Sequence, residues 1–347
     1  MLEALIGLAL LYVRDASGGG SSALNAQVAP FVHGVDALSS CRQAPAITWQ
    51  SLAPPGDREV LDRWCDSVGP PFVKGGGPPP ERLATLVLAT WNVHGGNGDV
   101  EAFLRSVAAL PGVHEPYGVV LLLQEAVRTG AEVPESYPDR LRPPGTIRVS
   151  ERERDVGALT ARLAMHTVYV PSMRNGRLFT SDTRQDRGNA ILSSFLLADL
   201  HAIELPFGRQ RHVAVAARVS APGLPPLRVM SVHLDPSGHR TDEAVALANY
   251  LAAGGETTIV GGDLNTWFGR EEGLEAVAAV VPEEDCGHAK TNTWPWRLQW
   301  PFGWWRGRLD YLFSSLPASM MRSCQTLPNR FGSDHHPVVM IVPIPGD

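Results

Sequence analysis

Short apolar runs of strand length recur along the chain from Leu83 onward, and most of them end in a polar cluster. They are LATLVLATWNVHGG, GVVLLLQEA, GNAILSSF, LRVMSVHLD, TTIVGGDLN, RLDYLFSS and SDHHPVVMIV. Helical patterns come between them, such as DVEAFLRSVAAL after the first run and RTDEAVALANYLAAGG after the fourth. Strands and helices that are mixed over about 260 residues predict a layered α/β domain.

One segment predicts an antiparallel pair of strands. RHVAVAARVSAPGLPPLRVMSVHL holds two apolar runs joined by a Pro- and Gly-rich turn, which is the pattern of a β-hairpin. The sheets are therefore expected to be mixed or antiparallel, and a simple doubly wound parallel fold is excluded.

The first 82 residues differ in composition from the rest. They are rich in Gly, Pro and Ser, and they end in VGPPFVKGGGPPPER, a loop by composition that marks a domain boundary. Before this loop, DREVLDRWCDSVG has helical spacing, with Val60, Leu61 and Trp64 on one side. We predict that residues 1–82 form an arm with a short helix and that residues 83–347 form the main domain.

The chain begins with MLEALIGLALLYVRD, an apolar run too short to cross a bilayer. The run also lacks the basic residues that open a signal peptide. Two interpretations stay open for residues 1–30, which are either part of an export signal or a helix of the mature fold.

The four cysteines include no C-x-x-C pair, which argues against a zinc ribbon. They fit two disulfides in a secreted or periplasmic protein, and they also fit four buried thiols. If the cysteines are bridged, we predict the pairs Cys41–Cys65 and Cys286–Cys324, because each pair closes a short local loop.

The formal net charge is −6, with 30 Lys and Arg against 36 Asp and Glu. Binding of nucleic acid by charge alone needs a dense basic surface, so the overall charge argues against that mode of binding. Local basic patches are still compatible with this composition. Nothing in the sequence indicates an obligate protein partner, and we expect a monomer.

Polar side chains that bind metals or transfer protons follow the strand-like runs. Any one of them alone is typical of a turn or a helix cap. Together they would form a cluster too acidic to be stable without a cation, and hard oxygen ligands suit Mg²⁺, Mn²⁺ or Ca²⁺ better than zinc. The members of this cluster are Asn92, Glu125, His233, Asp263, Asn265, Asp310, Asp334, His335 and His336.

The order of WNVHG, LLLQE, GNAILS, SVHLD, GGDLN, RLDYLF and SDHHP resembles the endonuclease/exonuclease/phosphatase superfamily, whose fold is that of deoxyribonuclease I. The resemblance runs from about Leu83 to Pro343. It implies a four-layer sandwich of two packed mixed β-sheets flanked by α-helices, with the site at one end. It also implies a metal-dependent hydrolase of phosphate esters, for which we expect Mg²⁺, with Mn²⁺ or Ca²⁺ as alternatives.

The resemblance implies a metal site and a water-activating group. Glu125 would be the chief metal ligand, with Asn92 beside it and Asp334 completing the metal sphere. Asp263 would orient or deprotonate the attacking water. Asn265 would donate a hydrogen bond to the phosphoryl group as charge builds there.

The resemblance also implies two catalytic histidines. Asp310 would fix the tautomer of His335 and favour its imidazolium form. His233 would contact the phosphate from the other side or protonate the leaving group. In a straight extended chain Asp334 and His336 would share a face and His335 would point away. The implied role of His335 therefore requires the backbone to turn at Asp334 and His335.

Three weaker hypotheses concern neighbouring residues. His94 could share the face of Asn92, but we interpret it as a loop residue. Arg187 and Asn189 lie in DRGNAILSS and could contact substrate. The local basic stretch is interpreted as a solvated loop, and its members are Arg174, Arg177, Arg184 and Arg187.

The segment TNTWPWRLQWPFGWWRGRLDY comes directly before Asp310 and should overhang the site. Its tryptophans and arginines could stack on unpaired bases and hold phosphates, as in a nuclease. They could instead enter a lipid interface, as in a phospholipid phosphodiesterase of the sphingomyelinase type. They could also pack on the sandwich and only shape the loop. The candidate substrate-binding residues in this segment are Trp304 and Arg306.

The main functional hypothesis is a nuclease that acts on DNA or RNA. The alternative within the same chemistry is a hydrolase of phospholipids or other small phosphate esters. The alternative of another class is an inactive binding module on the same fold. Such a module should have lost at least one of four residues, and this sequence retains all of them: Glu125, Asp263, Asp310 and His335.

Overall fold

A computed structural model describes residues 40–135, 154–175, 184–266, 272–284, 286, 308–317, 319–320 and 322–344. In this part of the chain the α-helices are α1 (Arg58–Cys65), α2 (Val100–Val107), α3 (Val156–Leu163), α4 (Arg240–Ala252) and α5 (Glu272–Val280). Short 3₁₀ helices cover Ser40–Arg42 and Pro55–Asp57. The strands are β1 (Ile47–Ser51), β2 (Phe72–Lys74), β3 (Thr85–Asn92), β4 (Tyr117–Thr129), β5 (His166–Arg174), β6 (Gln185–Ser193), β7 (Leu197–Glu204), β8 (Val213–Val219), β9 (Leu227–His233), β10 (Thr257–Asp263), β11 (Asp310–Ser314), β12 (Ser323–Thr326) and β13 (Val338–Pro343).

The strands form two mixed sheets. The six-stranded sheet has the order β1-β7-β8-β9-β10-β11, and the seven-stranded sheet has the order β12-β13-β3-β4-β6-β5-β2. Parallel pairs are β1–β7, β9–β10 and β3–β4, and the other neighbours are antiparallel. The predicted hairpin is the antiparallel pair β8–β9.

The two sheets pack face to face, and helices cover the outer faces. One core lies between the sheets and includes Leu88 of β3 and Val215 of β8. A second core lies outside the seven-stranded sheet and includes Phe103 of α2, and a third lies outside the six-stranded sheet and includes Leu247 of α4. Strands that are covered on both faces show no polar alternation, which is why they appear as unbroken apolar runs in the sequence. The predicted four-layer sandwich is confirmed.

A glycine lets the sheets approach closely beside the polar strand ends. A Cβ on Gly261 of β10 would lie 2.7 Å from Cβ of Thr90 and 2.8 Å from a methyl carbon of Leu122, both in the seven-stranded sheet. A side chain at this position would push the sheets apart two residues before Asp263.

Buried hydrogen bonds join the sheets at the same level. Nε2 of Gln124 in β4 donates to Oγ of Ser231 in β9 at 2.9 Å, and that hydroxyl donates to the carbonyl of Leu123 at 2.9 Å. Nδ2 of Asn189 in β6 donates to the carbonyl of Val213 in β8 at 2.8 Å. Paired polar groups of this kind fix the relative position of two buried surfaces more sharply than apolar contacts do.

Over residues 40–82 the structure differs from the predicted arm. β1 pairs with β7 at the edge of the six-stranded sheet, and β2 pairs with β5 at the edge of the seven-stranded sheet. The helix predicted here is α1, with Leu61 and Trp64 buried. This segment belongs to the sandwich because it supplies an edge strand to each sheet. Residues 1–39, with the apolar run that opens the chain, lie outside the described residues.

Both predicted disulfides are present, Cys41–Cys65 and Cys286–Cys324. The first ties the chain before β1 to α1. The second ties the segment after α5 to β12, an edge strand of the seven-stranded sheet. No helix among the described residues is long and apolar enough to cross a membrane.

Candidate active site

Three predicted site residues lie side by side in the six-stranded sheet. Asp263 at the end of β10 is in register with His233 at the end of β9 and with Asp310 at the start of β11. Because β9 and β10 are parallel and β11 is antiparallel to them, all three positions fall at the same end of the strands. The strand register alone therefore brings together two carboxylates and an imidazole.

In the seven-stranded sheet, a bulge presents Glu125. The register between β4 and β6 shifts between Leu123 and Ala126, and Glu125 itself has a φ of 54°. His94 and Asn265 also adopt left-handed backbone angles, with φ of 49° and 51°. Residues other than glycine rarely adopt such angles, which cost about 1–3 kcal/mol each and cluster at functional sites.

The backbone turns before β13, as predicted. It bends over residues 333–335, and β13 begins only at Val338. Oγ of Ser333 donates to the carbonyl of Asn92 at 2.7 Å and accepts the backbone N–H of His335 at 2.9 Å. Nε1 of Trp91 donates to the carbonyl of His335 at 3.0 Å. These bonds hold the turn against the end of β3.

The turn places the His335 imidazole between two buried carboxylates. Its Nδ1 lies 2.9 and 3.2 Å from the two carboxylate oxygens of Asp310, and its Nε2 lies 3.6 Å from Oδ2 of Asp263. Burial by itself would lower the pKa of His335, but Asp310 and Asp263 outweigh it and raise the pKa to about 10. The ring is therefore an imidazolium at neutral pH.

Asp263 is surrounded by hydrogen-bond donors. Its Oδ2 accepts from Nδ2 of Asn92 at 3.0 Å, and its Oδ1 accepts the backbone N–H of Asn265 at 3.0 Å. Burial raises the pKa of Asp263, while His335 and His233 oppose that shift. Nε2 of His233 lies 3.7 Å from Oδ2 of Asp263. Burial also lowers the pKa of His233, against the pull of Asp263 and of Glu125.

Two further carboxylates face cations. Oε1 of Glu125 lies 3.2 Å from Nη1 of Arg187. Burial raises the pKa of Glu125, but Arg187 and the neighbouring histidines lower it to about 2. Asp334 lies 3.0 Å from Nδ1 of His94, and its nearer carboxylate oxygen is 3.9 Å from Nε2 of His335. His94 therefore contacts a predicted metal ligand, which the loop interpretation did not anticipate.

The solvated-loop interpretation of the basic stretch is wrong for two of its arginines. Arg187 is buried against Glu125, and Arg174 is buried and donates to the carbonyls of Pro134 and Glu135. Both side chains have partners far away in the sequence, which the local charge pattern does not show. Arg177, like the substrate-binding candidates Trp304 and Arg306, lies outside the described residues.

Two amides have protein partners of their own. Asn189 is buried and donates across the sandwich, although it also lines a small cavity beside Glu125. Nδ2 of Asn265 donates to the carbonyl of Leu234 at 2.7 Å. Nδ1 of His336 lies 2.8 Å from the carbonyl of Leu327 and not among the site residues.

The sequence model of the Endonuclease/Exonuclease/phosphatase family matches residues 89–335. The chain belongs to this family. An endonuclease/exonuclease/phosphatase from Beutenbergia cavernae DSM 12333 is similar in structure, with a TM-score of 0.53, 18% identity, and coverage of 76% of this chain and 72% of that chain. A family protein from Leptotrichia buccalis C-1013-b has a TM-score of 0.53, 15% identity, and coverage of 74% and 99%. At these identities the likeness shows the fold alone. No curated protein matches the sequence with significance.

In this endonuclease/exonuclease/phosphatase protein, the acidic site residues differ in how deeply they are buried and in which charged groups they contact. The ligand atoms of Asp263, Asp310 and His335 lie within 4.8 Å of one another, and the imidazole already pairs with both carboxylates. By contrast, the side chain of Asp334 is 18% exposed, and its Oδ1 faces the His94 imidazole at 3.0 Å from Nδ1. A partly exposed carboxylate of this kind offers oxygens that suit a hard cation.

A second buried cluster has no counterpart among the predicted site residues. His212, Asp235 and Glu243 have ligand atoms within 4.8 Å of one another, and His212 lines the cavity beside Glu125. Asp235 could have been found, since it follows His233 by two positions in SVHLD. His212 carries no such signal, because its partner Glu243 lies 31 residues further along the chain.

The charge state of His335 can be tested by NMR of the protein kept metal-free with EDTA. We expect the ring to stay doubly protonated well above pH 8 and to titrate near its pKa of about 10. In Asp310→Asn the pKa should fall towards the ordinary histidine value, because the largest favourable charge is removed. The measurement is a pH series of long-range ¹H–¹⁵N histidine spectra, with His335→Gln for assignment. A wild-type ring that titrates between pH 6 and 7 would contradict the imidazolium assignment.

Proposed function

We propose that this protein is a divalent-metal-dependent hydrolase of phosphodiester bonds whose substrate is nucleic acid. The observation that carries the proposal is the His335 imidazole held between Asp310 and Asp263 at the end of the sandwich. Attack of water on a phosphodiester needs a group that takes a proton from the water and a group that stabilises the negative charge formed on phosphorus oxygens. Membership of a family of phosphoester hydrolases supports the same chemistry.

Asp263 is the group suited to accept the proton of the attacking water. Burial raises its pKa, and a carboxylate with a raised pKa is a stronger base near neutral pH. The hydrogen bonds from Asn92 and Asn265 hold both of its oxygens in place. The proton lost by water would move to a carboxylate oxygen of Asp263 as the new bond to phosphorus forms. The bond from phosphorus to the leaving oxygen breaks at the same time, and that oxygen would depart as an anion that takes a proton from solvent.

The charge state of His335 suits it to stabilise negative charge on the phosphoryl group and not to take a proton from water. With a pKa of about 10 it carries its proton at neutral pH, so its Nε2–H can donate to a phosphoryl oxygen. His233 has a lowered pKa and is therefore mainly neutral at the same pH. Of the two roles that the sequence suggested for His233, contact with the phosphate fits this charge state better than protonation of the leaving group.

The donors for a cation would be Glu125, Asn92 and Asp334. Their carboxylate and amide oxygens suit Mg²⁺, and also Mn²⁺ or Ca²⁺, better than softer metals. A bound cation would neutralise charge on the phosphoryl and leaving oxygens. Arg187 already pairs with Glu125, so the carboxylate would divide its charge between this guanidinium and the cation.

The nucleic-acid substrate is supported by the segment before Asp310. The sequence TNTWPWRLQWPFGWWRGRLDY combines tryptophan rings, on which unpaired bases can stack, with arginines that bind phosphate. Most of this segment, residues 291–307, lies outside the described residues.

Substitution of the proton-transfer and charge-stabilising residues should nearly abolish hydrolysis. We expect His335→Ala and Asp263→Asn to lower kcat by about 10²–10⁴-fold, the usual worth of one such group. EDTA should remove activity, and added Mg²⁺ should restore it. The measurement is hydrolysis of bis(p-nitrophenyl) phosphate, with circular dichroism to confirm folding. His239→Ala is the matched control, because His239 is an exposed histidine outside the site. Activity that persists in EDTA or in His335→Ala would contradict the mechanism.

A substrate panel separates nucleic acid from the alternatives. Purified protein with Mg²⁺ should cleave single-stranded DNA, RNA or plasmid DNA faster than sphingomyelin or inositol phosphates. Faster hydrolysis of sphingomyelin vesicles would replace the nuclease proposal with a phospholipid phosphodiesterase. No hydrolysis of any ester, together with retained folding, would favour the binding module.

We also propose that the protein is exported, to the periplasm or the medium. The two disulfides support this location, because structural disulfides persist mainly in oxidising compartments. Protein isolated from its native cells should have an intact mass about 4 Da below that of the fully reduced chain, one hydrogen for each cysteine of two bridges. Recovery of the native protein with four reduced thiols would overturn the proposal.

A further inference from the structure

His212 is a buried imidazole whose orientation is fixed on one side. It comes directly before β8, and its Nδ1 lies 2.8 Å from Oε1 of Glu243 in α4. The other oxygen of Glu243 accepts the backbone N–H of Asp235 at 2.6 Å. All three residues are buried, and His212 is only 2% exposed. Nδ1 is therefore engaged with the carboxylate, and Nε2 is the ring atom left for another partner.

Nε2 of His212 carries a proton in the states that this pairing favours. If Glu243 is ionised and the ring is an imidazolium, both ring nitrogens bear hydrogen. If the shared proton moves to Glu243, the carboxyl donates to Nδ1 and the hydrogen stays on Nε2. The pKa of His212 is raised, because Glu243 and Asp235 outweigh the burial that lowers it. The direction of this shift favours the protonated pair, in which Nε2 is a donor.

This donor is unpaired in the part of the chain that the structure describes. Nε2 of His212 is fully buried and makes no hydrogen bond to any described residue. More than nine in ten buried polar groups are paired in folded proteins. An unpaired N–H on a ring that is otherwise tightly held indicates a position for a group from outside the chain.

The ring lies beside the reacting centre. It lines a cavity of about 10 Å³, together with Glu125, Arg187, Asn189 and His233. Such a volume has room for roughly one oxygen-sized group. The rings of His212 and His233 have centroids 5.7 Å apart. Arg187 pairs with Glu125 at 3.2 Å, so the carboxylate at this cavity is already partly neutralised.

We propose that His212 is a further substrate-binding residue, whose Nε2 donates a hydrogen bond to a non-bridging phosphoryl oxygen, with Glu243 as the positioning residue that holds the ring. The inference rests on the proposed function, since it takes the substrate to be a phosphate ester. Arg187 and His233 line the same cavity, so three side chains able to donate or carry positive charge meet one anionic oxygen. An oxygen bound there would satisfy a buried donor that none of the described residues pairs with.

Two substitutions test the contact of Nδ1 and the donor at Nε2 separately. In His212→Asn the amide nitrogen takes the place of Nδ1, which keeps the contact with Glu243 and removes the donor at Nε2. In His212→Gln the longer side chain puts its amide nitrogen near the place of Nε2 and loses the contact with Glu243. His239→Asn is the control for the same change at an exposed histidine.

The readout is binding of inorganic phosphate to the full chain by calorimetry, with Mg²⁺ and separately with EDTA. We expect His212→Asn to weaken phosphate binding about 10- to 100-fold, the worth of one hydrogen bond to a charged group. His212→Gln should bind within about threefold of wild type. Wild-type affinity in His212→Asn would overturn the proposal. Equal loss in both variants with a lowered Tm would do the same, because it would show a structural role only.

A second variant keeps the test decisive if the His212 variants do not fold. Glu243→Met keeps about the length of the side chain but removes the carboxylate that engages Nδ1, so the ring should no longer be fixed with Nε2 at the cavity. Phosphate binding should then weaken, and unchanged binding would overturn the proposal. The measurement requires no turnover. Normal phosphate binding without hydrolysis of any ester would contradict only the proposed function.

Discussion

The contact between His335 and the carboxylates of Asp310 and Asp263 is the interaction on which the arrangement of the site depends. The imidazole precedes β13 in the seven-stranded sheet, whereas both carboxylates belong to the six-stranded sheet. Two buried carboxylates at this spacing would repel each other, and burial disfavours charge on either. The imidazolium between them offsets both effects and joins the sheets. Without this imidazolium, one of the two carboxylates would take up a proton before the chain would unfold.

A second buried network connects the N-terminal part of the described chain to the same end of the sandwich. Arg211 donates to Glu204 at 2.7 Å and to the carbonyls of Pro171 and Ser172 at 3.0 and 3.1 Å. Glu204 also accepts from Arg42, the residue after the disulfide-bonded Cys41. Burial lowers the pKa of Arg211, and Glu204 opposes that shift. A buried guanidinium is tolerated when its hydrogen bonds are satisfied. These bonds fix the residue next to His212.

The sequence predicts the fold and the centre of the site because both leave local signals. Strands buried on both faces appear as unbroken apolar runs, and Asp263 and Asp310 directly adjoin such runs. β1 and β2 leave no comparable signal. They are short edge strands with mostly half-buried or exposed residues, and their pairing with β7 and β5 is a tertiary contact.

The sequence interpretation missed or misread several residues for one physical reason, which is that the partner of each lies far away in the sequence. The charges of Arg187 and Arg174 suggest a solvated loop until Glu125 and the carbonyls of Pro134 and Glu135 are placed beside them. His212 is likewise defined by Glu243, on a helix that follows the next strand. Pattern and spacing report neighbours within one element, and they carry no information on which elements meet.

Chemically similar groups in the site differ in pKa because their buried surroundings differ. His335 lies between two carboxylates and stays charged, while His233 is buried with weaker compensation and has a lowered pKa. Glu125 faces Arg187 and has a pKa of about 2, while burial dominates at Asp263 and raises its pKa. Groups of one type whose pKa values are pushed apart can act in opposite roles at one pH. The low pKa keeps Glu125 an anion, which suits its proposed role as a metal ligand, and the raised pKa of Asp263 suits its proposed role as the proton acceptor.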